Sequence, residues 1–252
     1  MASTHNTCVL DGQGSLYCFG FGGYGIPARG NTNAFGDTSG EMATITPVDI
    51  DTGFIVNDFD LRSTHACAVS TIGTIKCWGT NTYGQLGHGN TNHRGIAASQ
   101  MGTNLPYTNL GTGMLAKQVA CGDGFTCALL TDGRVKCWGL NNYGQLGYGD
   151  TATRGDGGGE MGDNLGFVDM GSGVFAQKVC TGTSFTCVLT TANEIKCWGR
   201  NAFGQLGIGN TNSIGDGGGE MGANLASVDF GQGSDTPFDV ICGSDHTCAL
   251  YP

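Results

Sequence analysis

Long apolar runs are missing from this chain. None reaches the roughly eighteen residues of a membrane-spanning helix, so no insertion in a membrane is expected. Basic charge is also scarce: 11 Lys and Arg stand against 21 Asp and Glu, a net charge of −10. Such a surface repels phosphate, which removes nucleic acid and anionic membranes from the expected partners. Catalytic signatures are absent as well. There is no G-x-S-x-G elbow, no H-E-x-x-H pair and no phosphate-binding loop, and His5, His65, His88, His93 and His246 are scattered. No enzyme activity and no cofactor are therefore expected. The first residues, Met1 to His5, lack the basic flank and apolar stretch of a signal peptide.

Glycine and cysteine, by contrast, are abundant. Forty-seven glycines beside five prolines would suggest disorder, but they recur at fixed positions between aromatic and β-branched residues, as turn residues do. The recurrence is set by cysteine pairs ten positions apart: Cys8/Cys18, Cys67/Cys77, Cys127/Cys137 and Cys187/Cys197, at steps of 59, 60 and 60 residues. A period of this length marks supersecondary units that bury their apolar faces only against their neighbours. The units run over about 4–60, 61–120, 121–180 and 181–240, with a partial fifth over 241–252, and form one continuous array.

Within the third unit, Cys127 to Leu130 and Arg134 to Trp138 flank Thr131-Asp132-Gly133. Pairing Cys127 with Cys137 also pairs Leu129 with Val135 and leaves a three-residue loop, whose last residue favours left-handed backbone. That residue is Gly14, Gly73, Gly133 and Asn193 in the four units, all types that tolerate positive φ. The cysteines then face each other across a hairpin, at a separation a disulfide can span. Disulfides are expected at Cys8–Cys18, Cys67–Cys77, Cys127–Cys137 and Cys187–Cys197. Buried thiols are the alternative, and a zinc site is disfavoured because zinc ligands come as closely spaced pairs. Twelve cysteines, mostly so paired, point to an oxidising compartment. The expected location is extracellular or at the cell surface, reached through a leader that was removed or as a piece of a longer protein.

After each hairpin stands W-G-x-N-x-[YF]-G-Q-L-G, from Trp78 to Gly87, Trp138 to Gly147 and Trp198 to Gly207. Together with the preceding strand and turn, this string resembles the regulator of chromosome condensation repeat. The first copy departs from it, with Phe19 for the tryptophan and Tyr24-Gly25-Ile26-Pro27-Ala28 for the glycine string. The resemblance implies an all-β fold of β-propeller blades. It also implies a structural, hydrogen-bonding role for the strand histidines His65 and His246, and blade packing for the aromatics. Four units fall short of the seven blades common in the family, and the chain begins and ends on the same strand (Thr4 to Leu10, Asp245 to Leu250). An open arc or a fragment of a larger propeller is expected, with ends that meet another copy or a missing part.

An acidic, glycine-rich segment follows the later strings, Gly155 to Gly162 and Gly215 to Gly222; the first unit keeps Asp37 and Glu41, whereas the second has Ile96 and Gln100. Asp156, Glu160, Asp216 and Glu220 are calcium candidates by oxygen chemistry. The alternative is carboxylates that cap backbone amides in a tight loop. Arg154-Gly155-Asp156 spells an adhesion tripeptide, but Gly-Asp recurs in three units and is preceded by arginine in one of them, so it reads as a turn. Cys121, Cys180, Cys242 and Cys248 are surplus to the hairpins. The offsets of six or seven residues before a strand cysteine leave bridges between blades or to another chain open. The functional expectation is a non-catalytic, disulfide-stapled scaffold that binds a protein or further copies of itself. A regulatory binder, either a guanine-nucleotide exchange factor or an enzyme inhibitor, is the alternative.

Overall fold

The computed structural model describes residues 1–231 and 235–252. Thirteen strands appear among them: β1 Asn6–Leu10, β2 Leu16–Gly20, β3 Val56–Arg62, β4 His65–Ser70, β5 Ile75–Gly79, β6 Ala116–Cys121, β7 Phe125–Leu130, β8 Val135–Gly139, β9 Ala176–Thr181, β10 Phe185–Thr190, β11 Ile195–Gly199, β12 Asp239–Cys242 and β13 Thr247–Leu250. Three sheets are complete triplets, β3-β4-β5, β6-β7-β8 and β9-β10-β11, and all their pairings are antiparallel. At the two ends stand pairs, β1-β2 and β12-β13.

The hairpin register follows from cysteine and turn together. Cys8↔Cys18, Cys67↔Cys77, Cys127↔Cys137 and Cys187↔Cys197 are directly opposed, and Leu129 faces Val135. Gly14, Gly73, Gly133 and Asn193 all have positive φ, between 59° and 86°. Asn193 is one of two non-glycine residues with that conformation among the described residues.

All six residues of β4, β7 and β10 are buried. A strand covered on both faces reads as a nearly continuous apolar run, and face-to-face packing of successive sheets supplies that cover. The core clusters accordingly mix neighbouring units: Trp138 packs with Cys67, Val69, Ile75, Cys77 and Leu86 of the unit before it. In contrast, β13 alternates between half-buried and exposed. Among the described residues β1 and β2 form a two-stranded sheet, as do β12 and β13, and the sheets form an open arc. The inner ends of the sheets converge, and Arg62 Nη2 donates to Gly243 O across the arc at 3.1 Å.

Candidate interaction surface

The eight hairpin cysteines form four bridges, Cys8–Cys18, Cys67–Cys77, Cys127–Cys137 and Cys187–Cys197, with Cα separations of 4.1 to 4.2 Å. A fifth bridge, Cys180–Cys242, joins the inner strands β9 and β12 of adjacent sheets. Cys121 and Cys248 are free, the first buried and the second exposed. The surplus cysteines therefore do not share a strand with the hairpin cysteines that follow them. A tight turn intervenes, in which Gly122 N donates to Phe125 O at 2.8 Å, so Cys121 lies on β6 opposite Thr126 of β7. Burial, together with the Asp60 charge, pushes the Cys121 thiol up. His65, Cys67 and Cys121 lie within 4.8 Å of one another, but the Cys67 sulfur is bonded to Cys77. Two donors remain, short of the four that a structural zinc takes.

The inner strands line a funnel of about 400 Å³. Asp58, Gln118, Lys178 and Asp239 occupy equivalent places on β3, β6, β9 and β12, opposite Val69, Leu129, Leu189 and Leu250. Each of the first three reaches the next strand. Asp58 accepts from Val119 N at 2.8 Å, Gln118 Oε1 accepts from Val179 N at 3.0 Å, and Lys178 pairs with Asp239. Asp60 adds a bond from Cys121 N at 2.8 Å. Burial pushes Asp58 and Asp60 up to about 6, against the pull of those amides. Nothing in the sequence pattern announces this ladder, because Asp, Gln and Lys share only the reach to a neighbouring group.

A second set escaped the sequence reading although its letter repeats. Lys76, Lys136 and Lys196 are buried on β5, β8 and β11. Lys136 Nζ donates to Leu110 O and Gly162 O, both at 2.8 Å; Lys76 Nζ reaches Gly102 O at 3.1 Å and Asp51 at 2.6 Å; Lys196 Nζ donates to Leu225 O. Burial pulls the Lys136 ammonium down. Each lysine ties the outer strand of its hairpin to the loop that follows. The recurring Lys before Cys-Trp-Gly was the available signal.

In the acidic loops Glu160 Oε2 accepts from Gly155 N at 2.9 Å and Gly157 N at 2.8 Å, and Glu220 Oε2 accepts from Gly215 N and Gly217 N, both at 2.8 Å. Glu41 does the same with Gly36 N and Thr38 N, and the uncharged Gln100 with Ile96 N and Ala97 N. Asp156 and Asp216 sit in the same loops, with carboxyls raised by burial and by the neighbouring glutamate. The Arg154 guanidinium is held by Asp150 at 2.7 Å.

The strand histidines differ. His65 is fully buried, its Nε2 is 2.8 Å from Thr126 Oγ1 of the next sheet, and burial holds it down to about 3. His246, at the equivalent place on the last hairpin, is exposed.

A family model described as the regulator of chromosome condensation (RCC1) repeat matches residues 73–129, and a second model of that description matches 116–145 and 176–205. These matched stretches are repeats of the RCC1 family. This RCC1 array is 34% identical over 148 residues to the ultraviolet-B receptor UVR8 of Arabidopsis thaliana, covering 58% of the chain and 30% of the receptor. In fold it matches human WBSCR16 with a TM-score of 0.77 at 23% identity, over 100% of this chain and 56% of that one. Prp20p of Saccharomyces cerevisiae matches with a TM-score of 0.70 at 14% identity, over 99% and 54%. The RCC1 array thus spans under a third of its curated relative and a little over half of each solved chain. No helix among the described residues is long and apolar enough to cross a membrane.

Proposed function

We propose that this array is a non-catalytic scaffold for protein–protein interaction or self-assembly, stapled by disulfides for an oxidising extracellular or cell-surface setting. The observation that carries this is the five-bridge set, four within hairpins and one between sheets. Bridges of this density persist where thiols are not kept reduced. Their yield is rigidity of a surface, which favours binding over chemistry. The acidic net charge of −10 directs the choice toward neutral or basic protein partners.

Light scattering combined with cross-linking mass spectrometry, on protein kept oxidised, tests the reading. The expected result is a mass above the 25.9 kDa of one chain, or a reproducible cross-linked protein partner in native material. A strictly monomeric species without a partner overturns it. Thiol counting on native material tests the compartment: two free thiols per chain support it, and eight unbridged hairpin cysteines in native material overturn it. A regulatory binder is favoured by one fact alone, the receptor named among its relatives.

A further inference from the structure

The Cys67–Cys77 bridge differs from the other hairpin bridges in what surrounds it. A ring nitrogen of His65 and the sulfurs of Cys67 and Cys121 lie within 4.8 Å of one another, and all three side chains are buried. Cys77 Sγ is bonded to Cys67 Sγ, so a third sulfur adjoins them. His65 and Cys67 come from β4, Cys77 from β5, and Cys121 from β6 of the next sheet. The repeat supplies its own comparison. By register, Asn6, Phe125 and Phe185 take the place of His65 in the other hairpins, and Leu61, Thr181 and Cys242 take the place of Cys121 on the other inner strands. Cys242 is already bridged to Cys180, whereas Asp60 stands where Cys121 would meet the matching partner. Among the described residues, only this joint brings an imidazole and an unbridged sulfur to a hairpin pair.

The state of each donor is set by its neighbours. Thr126 Oγ1 donates to Gln85 O at 2.8 Å, so toward His65 Nε2, also at 2.8 Å, it accepts. The ring hydrogen therefore stands on Nε2, and Nδ1 keeps a bare lone pair that is buried without a partner. Burial holds His65 down to about 3, so the ring stays neutral, the form that binds a metal. An N–H anchored by a neighbouring acceptor is also what orients a ligating imidazole. Cys121 Sγ has only Asp60 O at 3.4 Å as a fixed acceptor, and Val69, Leu86 and Val119 pack around the sulfurs. A thiol pushed up by burial is a poor nucleophile toward the bridge beside it, but a bound cation deprotonates such a thiol outright.

We propose that, when the Cys67–Cys77 bridge is open, His65, Cys67, Cys77 and Cys121 form a zinc site of three thiolates and one imidazole. This site goes beyond the scaffold reading and stands independently of it. A dithiol reductant gives the bridge two electrons and two protons and leaves as its own disulfide. Zn2+ then replaces the protons of Cys67, Cys77 and Cys121, and three protons are released. Three sulfurs and one nitrogen match the closed tetrahedral set of a structural zinc. The ion ties β6 to β4 and β5, across the same kind of sheet boundary that Cys180–Cys242 spans further along. The ligand spacing gave no signal because the hairpin, not a short cysteine pair, brings Cys67 and Cys77 together.

Two preparations of the full chain test the site. In Cys77→Ser, handled under nitrogen with the other four bridges intact, His65, Cys67 and Cys121 supply three donors and water the fourth. Co2+ is the probe, because tetrahedral thiolate coordination gives it a visible absorption. Expected is one Co2+ per chain with that absorption, displaced by one equivalent of Zn2+. It should be lost when Cys121→Ser is added, and bind at least about tenfold more weakly when His65→Phe is added, phenylalanine being the residue of two other hairpins at that place. In the second preparation the unaltered chain is unfolded and reduced with a water-soluble phosphine. The phosphine takes the oxygen of water and becomes its oxide, and each bridge becomes two thiols. Refolding with zinc should leave one Zn2+ per chain in native mass spectrometry, with Cys67, Cys77 and Cys121 protected together from alkylation. A folded Cys77→Ser chain that binds no cobalt, cobalt absorption that survives Cys121→Ser, or a refolded reduced chain whose Cys121 is alkylated as fast with zinc as without it overturns the site.

Discussion

A charge buried without water holds its place through the carbonyls around it. Lys136 is such a residue, with two carbonyl partners at 2.8 Å and no acid bonded to it. Replacing Lys136 with alanine removes both donors at once and leaves Leu110 O and Gly162 O without them. Gly162 O keeps the bond from Leu165 N at 3.3 Å, so the expected loss is about 1–3 kcal/mol in urea unfolding, the cost of one unsatisfied buried group. Tyr17 stands at the equivalent place in the first unit and bonds Asp11 there, so the lysine is a feature of the three later units. Glu160 makes a contrasting case. Gln100 likewise accepts two backbone amides of its loop without a charge, so Glu160→Gln should change stability by less than about 0.5 kcal/mol, while Glu160→Ala costs about 1–2 kcal/mol. A calcium titration by calorimetry that gives no heat accords with this capping role. Heat lost in Glu160→Gln would instead assign the loop a metal.

At the scale of the element, two kinds of bridge close loops of different length. Cys127–Cys137 spans ten positions and Cys180–Cys242 spans 62. On chain entropy alone the first contributes about 2.5–3 kcal/mol and the second about 4 kcal/mol. Paired serine substitutions, followed by urea unfolding under non-reducing conditions, should show the larger loss for Cys180/Cys242. The hairpins were legible in the sequence because two unlike signals agreed: the opposed cysteines, and a loop residue (three times glycine, once Asn193) that accepts positive φ. The inner strands were not. Their turn is hidden in short segments such as Gly122 to Gly124, which put Cys121 on β6 and Cys127 on β7, so its offset alone left its partner open. Nor could the sequence show the funnel ladder, where an acid, an amide and a base serve one geometric purpose at Asp58, Gln118 and Lys178. The lysines repeat plainly at Lys76, Lys136 and Lys196, but a lysine is ordinarily a solvated residue, and burial reversed that expectation.

For the whole molecule, acid is the informative variable. Asp58 and Asp60 sit at about 6 in the folded chain against an ordinary value of 3.8. Below about pH 4 they are protonated in both states and exert no penalty. As pH rises from about 4 to about 6 the unfolded chain releases these protons first, so the stability they allow is lost over that window and stays lost above it. Asp60→Asn keeps an acceptor for Cys121 N and should stabilise the array by about 1–2 kcal/mol at pH 8, and by almost nothing near pH 4. Thermal unfolding of the variant and the parent across that range checks the sign, and a gain confined to acid would contradict it.

Packing of each unit on the one before it, as Trp138 packs against Cys67 and Leu86, also dictates how the molecule opens. When coupling is confined to adjacent units, an array of this kind loosens by an orderly progression from its least-coupled end. Amide exchange should therefore be slowest along β6 to β8, whose unit is clasped from both sides, and fastest along β12 and β13.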